Sequence, residues 1–412
     1  MSFTALFIAA LVLTTAMRVW LGLRHIAHIA AHREAVPAAF SAAIPLEAHR
    51  KAADYTSAKV RLALVEVGVG ALLLLAFTLG GGLQWLHDAW DATFAAGGYA
   101  HGMAFIASVA VIGFLVDLPL SLYRTFVLEQ RFGFNKMTWR LFVADLGREA
   151  LLAAAIGLPV VFVVLWLMQR MGDLWWFYVW LFWLGFNLLV LLIYPSFIAP
   201  LFNKFSPLAD QSLKERIESL LTRCGFRSSG LFVMDGSKRS SHGNAYFTGF
   251  GAAKRIVFFD TLIERLRPEE IEAVLAHELG HYRHHHVWKR IAAMALGMLG
   301  LFWLMGWLIG QAWFYEGLGM SAQSTAAALV LFSLVLPVFL FPLAPLASFV
   351  SRKHEFEADA YAARQARASD LVAALVKLYR DNAATLTPDP LYSKFYDSHP
   401  PAAIRVARLQ TT

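Results

Sequence analysis

Apolar residues in this chain gather in long unbroken runs, not in the alternations or three-four stripes of soluble elements. A membrane-spanning helix needs about 20 mainly apolar residues. Seven stretches qualify, at roughly 2–23, 61–83, 102–123, 149–169, 175–199, 287–312 and 324–349. The first lacks a basic start and a small-residue cleavage site, so it reads as an uncleaved span and not as a signal peptide. The turn from Arg170 to Asp173 is short enough to make the fourth and fifth spans a helical hairpin.

Two polar regions remain, 200–286 and 350–412. In the first, Leu213 to Leu221 has helical spacing, Leu231–Met234 and Arg255–Phe259 read as short strands, and Gly236 to Asn244 reads as a loop. Arg267-Pro268-Glu269-Glu270 opens a helix, with proline early and acids in the first turn.

Basic residues alternate between the connections. Segment 24–60 holds Arg24, Arg33, Arg50, Lys51 and Lys59, and 124–148 holds Arg124, Arg131, Lys136, Arg140 and Arg148, whereas 84–101 and 313–323 hold no Lys or Arg. The positive-inside rule then places the N-terminus outside and the C-terminus, with both polar regions, on the cytoplasmic side. Composition agrees: 58% of residues are hydrophobic and 16% charged, against about 25% charged in soluble domains. The formal charge of +7 belongs to loops beside apolar spans, and no recognition motif points to nucleic acid. One cysteine, Cys224, excludes an internal disulfide and a thiolate zinc cage.

The chemistry concentrates at His277-Glu278-Leu279-Gly280-His281. On a helix, residues i and i+4 share a face, so both imidazoles can meet one metal while Glu278 stands beside it, within reach of a catalytic water. The amphipathic run Ile271 to Ala276 supplies the helix. Catalytic zinc requires a third protein ligand and an open position. The metzincin class would place a histidine where Val287 stands. A later helix, Ser351 to Asp359, offers Glu355 as third ligand and Asp359, on the same face, as acceptor for a ligating imidazole. Glu357 lies on another face. His284-His285-His286 reads as a solvated or headgroup-facing patch. The chain makes two spans and one outer connection between His281 and Glu355, which returns Glu355 to the side it left.

The chain resembles the type I CAAX prenyl endopeptidases, membrane zinc proteases related to the HtpX group. The resemblance rests on Glu129 to Lys136, Tyr194 to Lys204, Asn244 to Phe250, the His277 and Glu355 motifs and Ser398-His399-Pro400-Pro401. It implies seven helices around a water-filled chamber and a single zinc on His277, His281 and Glu355, with Glu278 as general base. It also implies that His399 and Arg405 aid the transition state, and that Asn244, Ala245, Tyr246 and Phe247 form an edge strand that binds substrate backbone. The implied substrate is a peptide or protein, prenylated or membrane-associated.

The expected fold is thus an all-α polytopic membrane protein with a small α+β cytoplasmic zinc-protease domain. Its division is 1–199 (five spans), 200–286 (protease region with the zinc-binding helix), 287–349 (two spans) and 350–412 (third ligand). Short connections and abundant alanine point to a bacterial inner membrane, or to the endoplasmic reticulum in a eukaryote. The competing class is a transporter or channel with a structural zinc, for which Arg18, Glu66 and Asp117 would line a pathway. A structural site is closed by four ligands and has no use for Glu278. The intact ligands and base also argue against a metal-free scaffold for unfolded membrane proteins.

Overall fold

A computed structural model describes residues 2–95, 97–248 and 255–411. The membrane part runs through α1 (Phe3–His32), α2 (Leu46–Phe77), the short α3 (Gly82–Asp91), α4 (Tyr99–Phe132), α5 (Trp139–Arg170) and α6 (Gly172–Phe202). After β1 (Phe205–Pro207), α7 (Gln211–Arg223), β2 (Leu231–Met234), β3 (Ala245–Thr248), β4 (Arg255–Phe259) and α8 (Pro268–Arg283), the chain re-enters the membrane part in α9 (His286–Leu308). It returns through α10 (Thr325–Leu340) and α11 (Ala344–Gln365), and ends in α12 (Ala368–Asp381), α13 (Pro390–Tyr396) and α14 (Ala402–Gln410).

Seven helical segments are long and apolar enough to cross a membrane, α10 and α11 together forming one of them. All seven expected spans are there, though most run past the limits that hydropathy sets. Polar side chains end the apolar run of α1 near Leu23 but do not end the helix, which continues to His32. Only 6% of the apolar window is buried in α4 and in α6, against 50% in the α10–α11 segment. Helices so sparsely covered meet mainly their neighbours and form an open ring, not a tightly packed bundle. Charges occur on this ring: Glu66 of α2 pairs with Arg124 of α4, and Arg18 of α1 lies 4.4 Å over the Phe341 ring. An apolar core that includes Phe7, Leu83, Phe105, Leu165, Tyr315 and Leu331 closes one pole.

The polar domain closes the other pole. Its sheet has the order β1-β2-β4-β3. β1 is antiparallel to β2, β2 is parallel to β4, and β3 runs antiparallel to β4 at the edge. Apolar faces of α7, α8 and α12 pack with the sheet around Leu213, Ile217, Ile256, Phe258, Leu275 and Leu371. The start of α8 is fixed as its sequence predicts: the Arg267 N–H donates to Glu270 Oε2 at 2.7 Å. Lys377 Nζ of α12 donates to the same carboxylate at 2.6 Å.

Two local features bring the ligands together. Pro337 and a tight turn over Phe341–Leu343 interrupt the seventh span, so α11 leaves the membrane part in a new direction and lies along α8. At their crossing stands Gly280. A Cβ there would sit 2.8 Å from Ala358 Cα and 3.0 Å from its carbonyl oxygen. The missing side chain therefore sets how closely the two helices approach.

Candidate active site

His277 and His281 project from one face of α8 toward Glu355 of α11. His277 Nε2 and His281 Nε2 are 3.2 Å apart. Glu355 Oε2 is 3.5 Å from the first and Oε1 is 3.3 Å from the second. A tetrahedral ion with bonds of about 2.0–2.1 Å separates its ligands by roughly 3.3 Å, so the three side chains already stand at ligand spacing.

The other ring nitrogens show which way the lone pairs face. His277 Nδ1 lies 2.8 Å from Asp359 Oδ1, and a carboxylate only accepts, so Nδ1 carries the proton. His281 Nδ1 lies 3.0 Å from His286 Nδ1, and His286 Nε2 lies 2.8 Å from Glu357 Oε2. Glu357 takes the Nε2 proton of His286, whose Nδ1 then accepts from His281 Nδ1. Both ligand histidines thus turn an Nε2 lone pair toward the other and toward Glu355. Such a convergence of acceptors is unfavourable until a cation enters. Burial pulls the His277 imidazole down, but the hydrogen bonds to Asp359 and Glu355 overcome it and lift it to about 9, so a proton on Nε2 stands where a bound cation would otherwise take the lone pair. The pocket calls for positive charge, and the donor set fits a divalent ion of the zinc class.

Arg405 from α14 is buried beneath this centre. Its Nε and Nη2 donate to the two oxygens of Asp359 at 2.9 and 2.6 Å, and its Nη1 is 3.6 Å from Glu355 Oε2. Burial opposes its charge, but the Asp359 fork raises its pKa further. His399 is more exposed and brings Nδ1 to 2.8 Å from Glu355 Oε2; that contact is not an aligned hydrogen bond, since Oε2 has no such partner among the described residues.

A cleft of about 370 Å³ opens over the centre, lined by His277, Glu278, Asn244, Ala245, His399 and Arg405 among others. A second cavity of about 430 Å³, lined by Lys59, Tyr392 and Tyr396, shares Tyr379, Ala384 and His399 with it. His399 therefore stands where the two spaces meet. β3 borders the cleft as the sheet edge, and no other strand pairs with its outer side among the described residues. Of the four strand residues expected to meet substrate, Asn244 and Ala245 line the cleft. Tyr246 turns away toward Met234 and Phe259, and Phe247 packs on Phe226. Tyr246 and Phe247 point to opposite faces of the strand, and neither side chain lines the cleft. Gly249, Phe250 and the residues to Lys254, which complete the Asn244 motif, lie outside the described residues.

One expectation is corrected. His286 does not belong to a solvated patch: it is 1% exposed and stacks on His354 at 4.0 Å. His285 takes a left-handed conformation, φ 57°. That ends α8 and turns His286 back beneath His281. Five residues after a ligand and beyond a helix break, His286 has no periodicity that would reveal it in the sequence.

Two imidazoles at ligand spacing on one helix, a carboxylate from another and a further carboxylate beside them in a cleft make the arrangement of a metallopeptidase, here built on a membrane-spanning ring. The chain belongs to peptidase family M48: residues 207–412 match that family's model, and 25–204 match the CAAX prenyl protease N-terminal domain of five membrane helices. It is 41% identical over 313 residues to CAAX prenyl protease 1 homolog of Arabidopsis thaliana, covering 74% of this chain and 72% of that one. It is 39% identical over 326 residues to CAAX prenyl protease 1 of Saccharomyces cerevisiae, with 75% and 72% covered. A crystal structure of S. mikatae Ste24p superposes with a TM-score of 0.92 at 33% identity over 99% of both chains. The chain is thus a multi-pass membrane metalloendopeptidase, and the transporter reading falls away. The family implies a metal.

Proposed function

We propose that the chain hydrolyses peptide bonds near the C-terminus of prenylated C-a-a-X-type or related membrane-associated substrates, using one zinc ion held by His277, His281 and Glu355. The observation that carries this is the convergence of two Nε2 lone pairs and a buried carboxylate at ligand spacing, at the floor of a cleft bordered by a free sheet edge. Zinc held there supplies Lewis acidity, acidifying water and polarising the scissile carbonyl.

The chain's own groups do the rest. The outer edge of β3 adds the substrate backbone as a further strand and holds the scissile bond over the ligands. Glu278, half-buried at the cleft wall, accepts the proton of the attacking water and returns it to the leaving amine. His399 and Arg405 face the same space as cations or donors and stabilise the negative oxygen that develops. Asp359 orients His277, and His286 with Glu357 orients His281. The cavity beyond His399 leads away from the ligands among aromatic side chains and suits an apolar modification near the cleaved bond. Charge alternation in the connections supports an active site on the cytoplasmic side, and the proposed membrane is a bacterial inner membrane or the endoplasmic reticulum.

The substrate class is tested with paired peptides that differ only in a farnesyl group on the cysteine. Cleavage should fall on the C-terminal side of that cysteine, with the farnesylated peptide showing the lower KM. Equal KM values would remove the prenyl group from the proposal while leaving the peptidase intact.

A further inference from the structure

A second group of ligating side chains lies at the pole opposite the active site. His87 and Asp91 stand one turn apart on α3, and His101 lies in the first turn of α4. Their donor atoms all fall within 4.8 Å of one another. His101 Nε2 is 3.0 Å from Asp91 Oδ1. His87 Nδ1 is 3.8 Å from Asp91 Oδ2 and 3.7 Å from Asp88 Oδ1. The longer distances are informative: they exceed hydrogen-bond range, yet with the shorter one they bracket the spacing of about 3.3 Å between ligands of a tetrahedral ion.

The histidines are buried, His87 6% exposed and His101 1%. Both ring nitrogens of His87, and Nδ1 of His101, are buried with no hydrogen-bond partner among the described residues. His101 Nε2 lies near two acceptors, Asp91 and, at 3.0 Å, the His87 carbonyl. A neutral imidazole always has one N–H to place, and a buried N–H without an acceptor is unfavourable. One His87 nitrogen therefore presents a bare lone pair, and its Nδ1 faces the Asp91 carboxylate at a distance that suits a shared cation.

We propose that His87, Asp91 and His101 bind a second divalent ion of the zinc class, pinning α3 to α4 at the pole away from the active site. The donor set, two imidazoles and a carboxylate, matches such ions. Asp88, whose Oδ1 lies 3.7 Å from His87 Nδ1, stands where it can close the fourth position. The role is structural, because α3 is also the strut of this pole: Gln84 Oε1 accepts from Ser321 N at 2.8 Å and Ala322 N at 3.2 Å, which ties α3 to the connection between α9 and α10. An ion at His87 would extend that tie to a third segment.

Metal counting tests this separately from the catalytic reading. The purified full chain is stripped with a chelator, reloaded with excess zinc and desalted. Two ions per chain are expected. The His277→Ala/His281→Ala variant should keep one, and adding His87→Phe or His101→Gln should remove it. Phenylalanine suits the apolar surroundings, where the His87 ring already lies 5.8 Å from that of Phe105, and glutamine can still donate to the His87 carbonyl. In chelator, His87→Phe should therefore melt no lower than its parent. Zinc should raise the melting temperature of the His277→Ala/His281→Ala chain but not of the same chain carrying His87→Phe. A single ion in the wild type, none in the His277→Ala/His281→Ala variant, or a second ion indifferent to His87→Phe would overturn the proposal.

Discussion

His277 and His281 sit one turn apart on the same helix, yet they are held by different means. His277 rests on a charged clamp: Asp359 takes its Nδ1 proton and is itself gripped by both arms of buried Arg405. His281 rests on a relay through a second imidazole, His286, to Glu357 at the margin of the domain. Both devices produce the same result, an Nε2 lone pair aimed at the ligand centre. They differ in what their loss exposes. Removing Asp359 leaves a guanidinium that is 5% exposed without its hydrogen-bonded carboxylate, with only Glu355 Oε2 nearby at 3.6 Å. Removing His286 leaves one N–H without an acceptor. A buried unpaired charge costs about 3–5 kcal/mol, and an unmet buried donor about 1–3 kcal/mol.

The comparison is broken or sharpened by measuring both arms together. Asp359→Ala should destabilise the fold by roughly twice as much as His286→Ala in thermal melts. Each should weaken zinc by about 10–100-fold in chelator competition. Unchanged zinc affinity in His286→Ala would mean that the relay is incidental and His281 needs no orienting partner. A smaller effect comes from the spacing between the helices that carry both arms. Gly280→Ala would press a methyl group against the Ala358 backbone, and overpacking of this kind costs about 1–3 kcal/mol. The variant should melt lower and bind zinc less tightly, since α11 carries Glu355 away from α8. An unaltered zinc affinity would show that the centre does not depend on this close approach.

The sequence made one arm legible and hid the other. Glu355 and Asp359 are four apart on a helix, so one face shows both. His277 and His281 show the same spacing, and the count of spans returns the two helices to one pole. Seven apolar runs likewise announced the membrane helices, because hydropathy depends on composition alone. His286 escaped because it lies beyond the left-handed turn at His285, where helical periodicity no longer carries information. Glu357 was correctly placed on another face of its helix, but nothing in that face revealed its partner. The strand register was half legible: an edge strand at Asn244 could be expected, but which of its side chains meet the cleft depends on how β3 pairs with β4.

The central claim, that Glu278 acts as general base beside a metal it does not bind, is tested most directly by Glu278→Gln. Glutamine keeps the shape and can still hydrogen-bond water, but it cannot take the proton. Loss of a general base costs about 10²–10⁴ in rate, and the upper part of that range is expected where no other carboxylate lines the cleft among the described residues. The measurement is single-turnover peptide cleavage at verified zinc occupancy, with Glu355→Ala as the variant that should lose metal and activity together. The account predicts full zinc and a loss of about 10³-fold or more in Glu278→Gln; near-normal cleavage at full zinc would contradict it.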